Sequence, residues 1–314
     1  MSIIYLMKLG AHLSISGGLD KAIENVVNIG GNCLQIFSTS PRMWKNPSVT
    51  EEMVERFKTA KEKFNIDPVY FHATYLISLG ENGRVGQLSK DFLIAELSVA
   101  AKLGVRGSIV HLGSFKDGIG EKKQIHNQQT VLEEVVLEPS AGLHPVDIDG
   151  TIQNKYSVLV GNILQILDNT PKETLFMIEN AGNRKIGLKL EEISHIIKSV
   201  GSPRFRVCLD TCHLHAAGYD IKTEEKLDAF LNEFDKLVGL DRLELFHIND
   251  SKDLFGSLRD RHENIGEGHI GLEPFRVLLN HPKTKNLSLI IETPGFENKG
   301  PDKKNLDILK ELII

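Results

Sequence analysis

Leu175-Phe176-Met177-Ile178-Glu179 is an unbroken apolar run that stops on a carboxylate. A short apolar run of this kind fits a strand buried on both faces, as in a parallel sheet covered by helices. The design recurs along the chain. Pro68-Val69-Tyr70-Phe71 stops on His72, Gly107-Ser108-Ile109-Val110 on His111, and Phe205-Arg206-Val207-Cys208-Leu209 on Asp210. Leu243-Glu244-Leu245-Phe246 stops on His247, and Leu287-Ser288-Leu289-Ile290-Ile291 on Glu292. Two earlier runs, Lys8–His12 and Asn32–Phe37, bring the strand count to eight. Amphipathic stretches lie between them at Val49–Lys63, Asp91–Leu103, Leu190–Ser199, Glu224–Val238 and Glu273–Leu279. Eight strand–helix alternations predict an α/β fold, a (β/α)8 TIM barrel in a single domain spanning the chain.

Parallel strands of one barrel all end at one rim, so the residues that stop them meet there. Two further segments add to the set. Asp210-Thr211-Cys212-His213 places an imidazole one turn after a strand-end carboxylate. Asp260-Arg261-His262 places two more such groups at i and i+2, on one side of an extended segment. The rim thus collects nine side chains of the types that hold zinc: His72, His111, Glu179, Asp210, His213, His247, Asp260, His262 and Glu292. One zinc takes about four ligands, so this number predicts a site for several ions. His12 is expected to hydrogen-bond beside the rim rather than to ligate, because its own strand offers no carboxylate. Cys208 is expected to alternate away from the rim, and both it and Cys212 to be structural.

The spacing has one irregularity. From His72 to His111 is 39 residues and from Glu179 to Asp210 is 31, but from His111 to Glu179 is 68. The excess predicts an insertion after strand four, at about 116–155, rich in turn residues and mixed in charge.

Composition is that of a globular protein, with 41% hydrophobic and 25% charged residues. No apolar run approaches the ~20 residues of a membrane span. The first residues lack the basic start of a signal peptide, and Met7 is an alternative start. Three cysteines make no paired framework, so a cytoplasmic, reducing setting is expected. The net charge of −5 would disfavour nucleic acid. Four of the acids, however, belong to the rim set, and roughly three divalent cations there would offset the excess. Any phosphate-binding surface must then be local.

These segments carry a resemblance. Gly10-Ala11-His12-Leu13-Ser14, Tyr75-Leu76-Ile77-Ser78-Leu79-Gly80, His111-Leu112-Gly113-Ser114 and Ile178-Glu179-Asn180 resemble endonuclease IV, the zinc-dependent apurinic/apyrimidinic (AP) endonucleases of the xylose-isomerase-like barrel superfamily. So do Leu209–His213, Phe246–Lys252, Asp260–Gly268 and Ile291–Pro294. The resemblance implies three zinc ions, with manganese admissible at some sites. Glu179 would bridge two of them, one completed by His72 and His111 and the other by Asp210, His247 and Glu292. His213, Asp260 and His262 would hold the third. Glu179 and Glu292, with the activated water, would be catalytic. The implied reaction cuts the phosphodiester 5′ to an abasic site in duplex DNA, leaving a 3′-hydroxyl and a 5′-deoxyribose phosphate, in base excision repair. Arg42, Tyr75 and Leu76 match the family's stack-penetrating side chains, while Lys45, Lys252, Arg259 and Arg261 would contact phosphate. A monomer acting on double-stranded DNA is expected.

The chain departs from the family pattern at Ala181–Gly187, at His215 in place of an apolar residue, and in the insertion. Two alternatives stay open on the residues alone. One is a metal-dependent sugar isomerase or epimerase on the same barrel, for which His213, Asp260 and His262 would be surplus. The other is a non-catalytic DNA-lesion binder.

Overall fold

A computed structural model of the chain describes residues 7–115 and 150–314. In chain order the strands are β1 (Lys8–Leu13), β2 (Cys33–Phe37), β3 (Val69–His72), β4 (Gly107–Val110), β5 (Leu175–Glu179), β6 (Phe205–Asp210) and β7 (Leu243–His247). A two-stranded ribbon follows, β8 (Asp250–Ser251) and β9 (His262–Glu263), and then β10 (Ser288–Ile291). Among the described residues β1–β7 and β10 form one closed parallel barrel in the order β1-β10-β7-β6-β5-β4-β3-β2. The expected TIM barrel is what the chain forms.

The helices are α1 (Leu19–Asn28), α2 (Glu51–Phe64), α3 (Arg84–Leu103), α4 (Gly150–Asp168), α5 (Leu190–Val200), α6 (Thr211–Ala217), α7 (Glu224–Leu237), α8 (Leu272–Asn280) and α9 (Lys303–Glu311). The sequence reading lacks α1, α4, α6 and α9, and starts α3 at Asp91 instead of Arg84. The first turns of α3 escape it because Gly86 interrupts the apolar pattern. A Cβ on Gly86 would meet the Glu81 carbonyl at 1.8 Å, so close backbone contact requires glycine there. The expected insertion at 116–155 overlaps the start of α4, and 116–149 lies outside the described residues.

Side chains alternate between two environments along each strand. One set faces the helical jacket, as Phe71, Phe176, Ile178, Phe246, Leu289 and Ile291 do. The other set fills the barrel interior with a layer of Cys33, Tyr70, Ile109, Leu175, Met177, Cys208, Leu245 and Ile290, all buried. Two residues beyond an interior residue, each strand presents its next inward side chain. That rule sets Gln35 above Cys33, His72 above Tyr70, and His111 above Ile109. It likewise sets Glu179 above Met177, Asp210 above Cys208, His247 above Leu245, and Glu292 above Ile290. In β6 the register shifts between Val207 and Cys208, and Asp210 then pairs with His247.

Contrary to the sequence expectation, Cys208 does not alternate away from the rim. Residues 208 and 210 share a face at period two, and Cys208 lies inward beneath Asp210. Burial pushes its thiol up to about 12, so it stays a neutral packing group.

The ribbon β8–β9 is held by one carboxylate. Asp250, fully buried, accepts hydrogen bonds from the backbone N–H groups of Ser251, Gly266, Gly268, Ile270 and Gly271 at 2.8–3.3 Å. Asp250→Ala would leave buried donors without an acceptor, each costing ~1–3 kcal/mol. The expected result is a fall in Tm of at least about 5 °C, with selective weakening of any metal held through His262. A melt within a degree of the parent would show that the ribbon does not depend on Asp250.

Candidate metal centre

Glu179 sits at the middle of the rim. Its Oε2 lies 3.1 Å from His72 Nε2 and 3.2 Å from His111 Nε2. Its Oε1 lies 3.1 Å from His247 Nδ1. His247 Nδ1 in turn is 3.3 Å from Glu292 Oε2 and 3.8 Å from Asp210 Oδ2. On the far side, His262 Nε2 is 3.6 Å from Asp210 Oδ2 and 3.5 Å from Asp260 Oδ1, which is 2.9 Å from His213 Nε2. The nine strand-end and loop side chains form one connected cluster.

Their ligand atoms fall into overlapping groups spaced to hold a metal ion: His72, His111 and Glu179; Glu179, Asp210, His247 and Glu292; Asp210, His213 and His262. Asp260 and His262 also come within such reach of Cys212. Cys212 Sγ, however, donates to the Arg261 carbonyl, and burial pushes its thiol up, which favours the structural role.

The tautomers fit cations. His72 Nδ1 donates to the Ala73 carbonyl at 2.8 Å, and His213 Nδ1 to the Asn180 carbonyl at 2.9 Å. His247 Nε2 donates to Gln35 Oε1 at 2.7 Å. One nitrogen of each ring is thus committed as a donor, and the other faces carboxylate oxygens with its lone pair. Lone pairs aimed at carboxylates repel unless a cation or a proton lies between them. A fixed N–H behind an outward lone pair is also how ligating histidines are held. Among the described residues, His213 Nε2 and His262 Nε2 are buried and make no hydrogen bond, as atoms reserved for an ion would, although His213 Nε2 lies 2.9 Å from Asp260 Oδ1.

Electrostatics agree. Burial raises Glu179, but His111, His247 and His72 outweigh it and hold the carboxylate well below its ordinary range. Glu292 is likewise held low against burial by His247 and His12. Burial pulls His213 down, yet Asp210, Asp260 and Glu179 push it up to about 10. Asp260, despite burial, is drawn down to about 2 by His213 and His262. His111 differs, because burial dominates and lowers it to about 4. Without a cation, Asp210, Asp260 and Glu179 keep a proton on His213; a divalent ion would take the place of that proton.

Comparison with known proteins places this arrangement. Residues 23–312 match the family model of the xylose isomerase-like TIM barrel. A Haloarcula marismortui protein named "Probable endonuclease 4" is 34% identical over 309 residues, covering 98% of this chain and 99% of that protein. The chain belongs to the endonuclease IV family. The crystal structure of endonuclease IV from Thermus thermophilus is 30% identical, with a TM-score of 0.77, over 97% of this chain and 98% of that one. An Escherichia coli 3-keto-D-glucoside 4-epimerase shares only the fold, at 14% identity and a TM-score of 0.61 over 98% of each chain. As a member of the endonuclease IV family the chain is an enzyme of the nuclease class.

Several parts of the site on this endonuclease IV barrel derive from the local fold. Asp210 caps α6, its Oδ1 accepting the His213 N–H at 3.0 Å, so the same residue starts the helix that presents His213. Asn249, missed in the sequence, donates Nδ2–H to Asp210 Oδ2 at 2.6 Å and accepts the Glu292 N–H at 2.8 Å. His12 has the expected hydrogen-bonding role, but its carboxylate comes from the neighbouring strand: His12 Nδ1 donates to Glu292 Oε1 at 2.6 Å across the β1–β10 pair. His215, the departure on α6, is buried, its Nε2 donating to the Asp253 carbonyl at 3.1 Å.

Two loops stand beside the cluster. Tyr75 is 62% exposed, its ring 5.5 Å from Phe37 and 6.1 Å from His72. Arg42 and Lys45 are exposed on the loop after β2, and Leu76 is half-buried. The Pro41 carbonyl accepts from both Thr74 Oγ1 and Tyr75 N–H, at 2.6 and 3.3 Å, lacing the two loops together. The expected phosphate contacts of the ribbon loop are less free. Arg261 forms a two-pronged pair with Asp253 at 2.7 and 2.6 Å, Arg259 lies 3.7 Å from the same carboxylate, and Lys252 lies 3.9 Å from Glu263.

Proposed function

We propose that this chain is a zinc-dependent AP endonuclease holding three zinc ions, or manganese at some sites. It would hydrolyse the phosphodiester 5′ to an abasic site in duplex DNA, as a cytoplasmic monomer. The observation that carries this reading is the chain of overlapping ligand groups from His72, His111 and Glu179, through Asp210, His247 and Glu292, to His213 and His262, with Asp260 2.9 Å from His213 and 3.5 Å from His262. His72 and His111 would complete one position and Asp210, His247 and Glu292 the next, with Glu179 shared. His213, Asp260 and His262 would complete the third. Divalent cations held there would supply Lewis acidity, making the attacking water more acidic and neutralising phosphate charge. Around that chemistry, Glu179 and Glu292 orient the reacting groups. His12 and Asn249 hold Glu292 in place, and the Pro41-laced loops present Arg42, Tyr75 and Leu76 to the duplex. Unstacking a nucleotide costs least where a base is missing, so probes of the stack select abasic sites.

The test is nicking of a duplex with one synthetic abasic site, with and without chelator, alongside elemental analysis. About three zinc ions per chain and chelator-sensitive nicking are expected. One ion or none, with no nicking, would overturn the reading in favour of sugar isomerisation or epimerisation.

Arg42→Ala, and Tyr75→Ala combined with Leu76→Ala, should keep their metals and lose discrimination between abasic and intact duplex by about tenfold, the scale of a stacking contact. The measurement is paired dissociation constants at one fixed salt concentration. Equal ratios in parent and variants would make these residues ordinary loop packing.

A further inference from the structure

Of the inward groups just above the interior layer, Gln35 is one that cannot carry charge or ligate as an imidazole or carboxylate does. It is fully buried and sits between two proposed ligands. Its Nε2 is 2.6 Å from Glu292 Oε1, and its Oε1 is 2.7 Å from His247 Nε2. The orientation of the amide follows from the chemistry. Ionised Glu292 only accepts, so the group facing it must be the NH2. The amide oxygen then faces His247 Nε2, which must carry the proton. His247 Nδ1 is left as the bare nitrogen, pointing at Glu179 and Glu292 Oε2.

We propose that Gln35 is a positioning residue for the metal position formed by Glu179, Asp210, His247 and Glu292. One amide fixes the tautomer of the imidazole and occupies the outer oxygen of the carboxylate. Nδ1 of the one and Oε2 of the other are thereby turned to the same point. Glu292 Oε1 is also taken by His12, so the carboxylate is held from two strands and has only Oε2 free. A partner that locks a ligand from behind preserves metal affinity as well as rate. The inference rests on reading the rim as a metal centre, and it is independent of which substrate that centre cuts.

The test uses zinc-loaded full-length protein and a competing chromogenic chelator. Gln35→Met keeps volume and removes both hydrogen bonds, which limits the packing change. The expected result is a loss of about ten- to hundredfold in affinity for one zinc, the others staying bound, and a lower kcat on abasic duplex with unchanged KM. In the parent, the His247 Nε2 proton should appear as a slowly exchanging imidazole resonance that Gln35→Met abolishes. If Gln35→Met fails to fold, Gln35→Asn replaces it: the shorter amide cannot span both partners, and the same loss is expected. Zinc affinity within about twofold of the parent, with the imidazole proton still protected, overturns the proposal. Intact zinc affinity effects with no DNA cleavage by the parent would overturn the endonuclease reading and leave the role of Gln35 standing.

Discussion

Glu179→Gln and Glu292→Gln are each expected to reduce nicking of abasic duplex by at least about 10²–10³, the loss seen when one transition-state stabilising group is removed. Glu179 offers both oxygens, one toward His72 and His111 and one toward His247. An amide would turn one oxygen into a donor aimed at imidazole nitrogens, and would remove the charge that two metal positions share. Glu292→Gln would do the same at one position and set an amide against the NH2 of Gln35. Both substitutions keep size and shape at the top of an intact interior layer, so circular dichroism and the melting of metal-free protein should change little. Near-parent nicking by either variant, at full zinc content, would sink the proposed roles.

His262→Ala is expected to release one metal and most of the phosphodiesterase activity while the other positions stay filled. His262 stands on the ribbon, not on the barrel, and reaches Asp210 and Asp260 from outside. Toward the inner group its contacts are Asp210 Oδ2 and, through Nδ1 at 3.4 Å, the Glu292 backbone carbonyl, not the side-chain atoms of Glu179, His247 or Glu292. An epimerase using that inner position would therefore hardly respond. Zinc content and turnover on abasic duplex decide the matter: sustained turnover with one ion fewer would favour sugar chemistry on this barrel.

The barrel and the cluster of side chains at its strand ends were legible because each strand is short, apolar and stops abruptly. His72, His111, Glu179, Asp210, His247 and Glu292 all lie at or just past a strand end. The same reading looked at where runs stopped, not at the parity within them. Parity would have shown Gln35 two residues after Cys33 as an inward group, and would have put Cys208 on the face of Asp210. The His12–Glu292 pair was hidden for another reason: β1 and β10 are distant in sequence and meet only on closure of the barrel. The ribbon β8–β9 has two-residue strands with no apolar run, and its order comes from Asp250 and a series of glycine N–H groups. Helix α6 is seven residues long and buried on every side, so no amphipathic pattern announces it.

The interior layer beneath the rim has a kinetic corollary. Tyr70, Ile109, Met177, Cys208, Leu245 and Ile290 close the barrel just below the ligands. Among the described residues, the approach to the cluster is through the mouth of the barrel between the Pro41-laced loops and the ribbon, where His12, Pro41, Tyr75, His262 and Glu292 line one cavity. Ions held there would arrive and depart by the route that a bound duplex would cover, so one occupant of the mouth would hinder the other. A duplex seated there would act as a stopper, so a chelator would strip the complex far more slowly than the free protein.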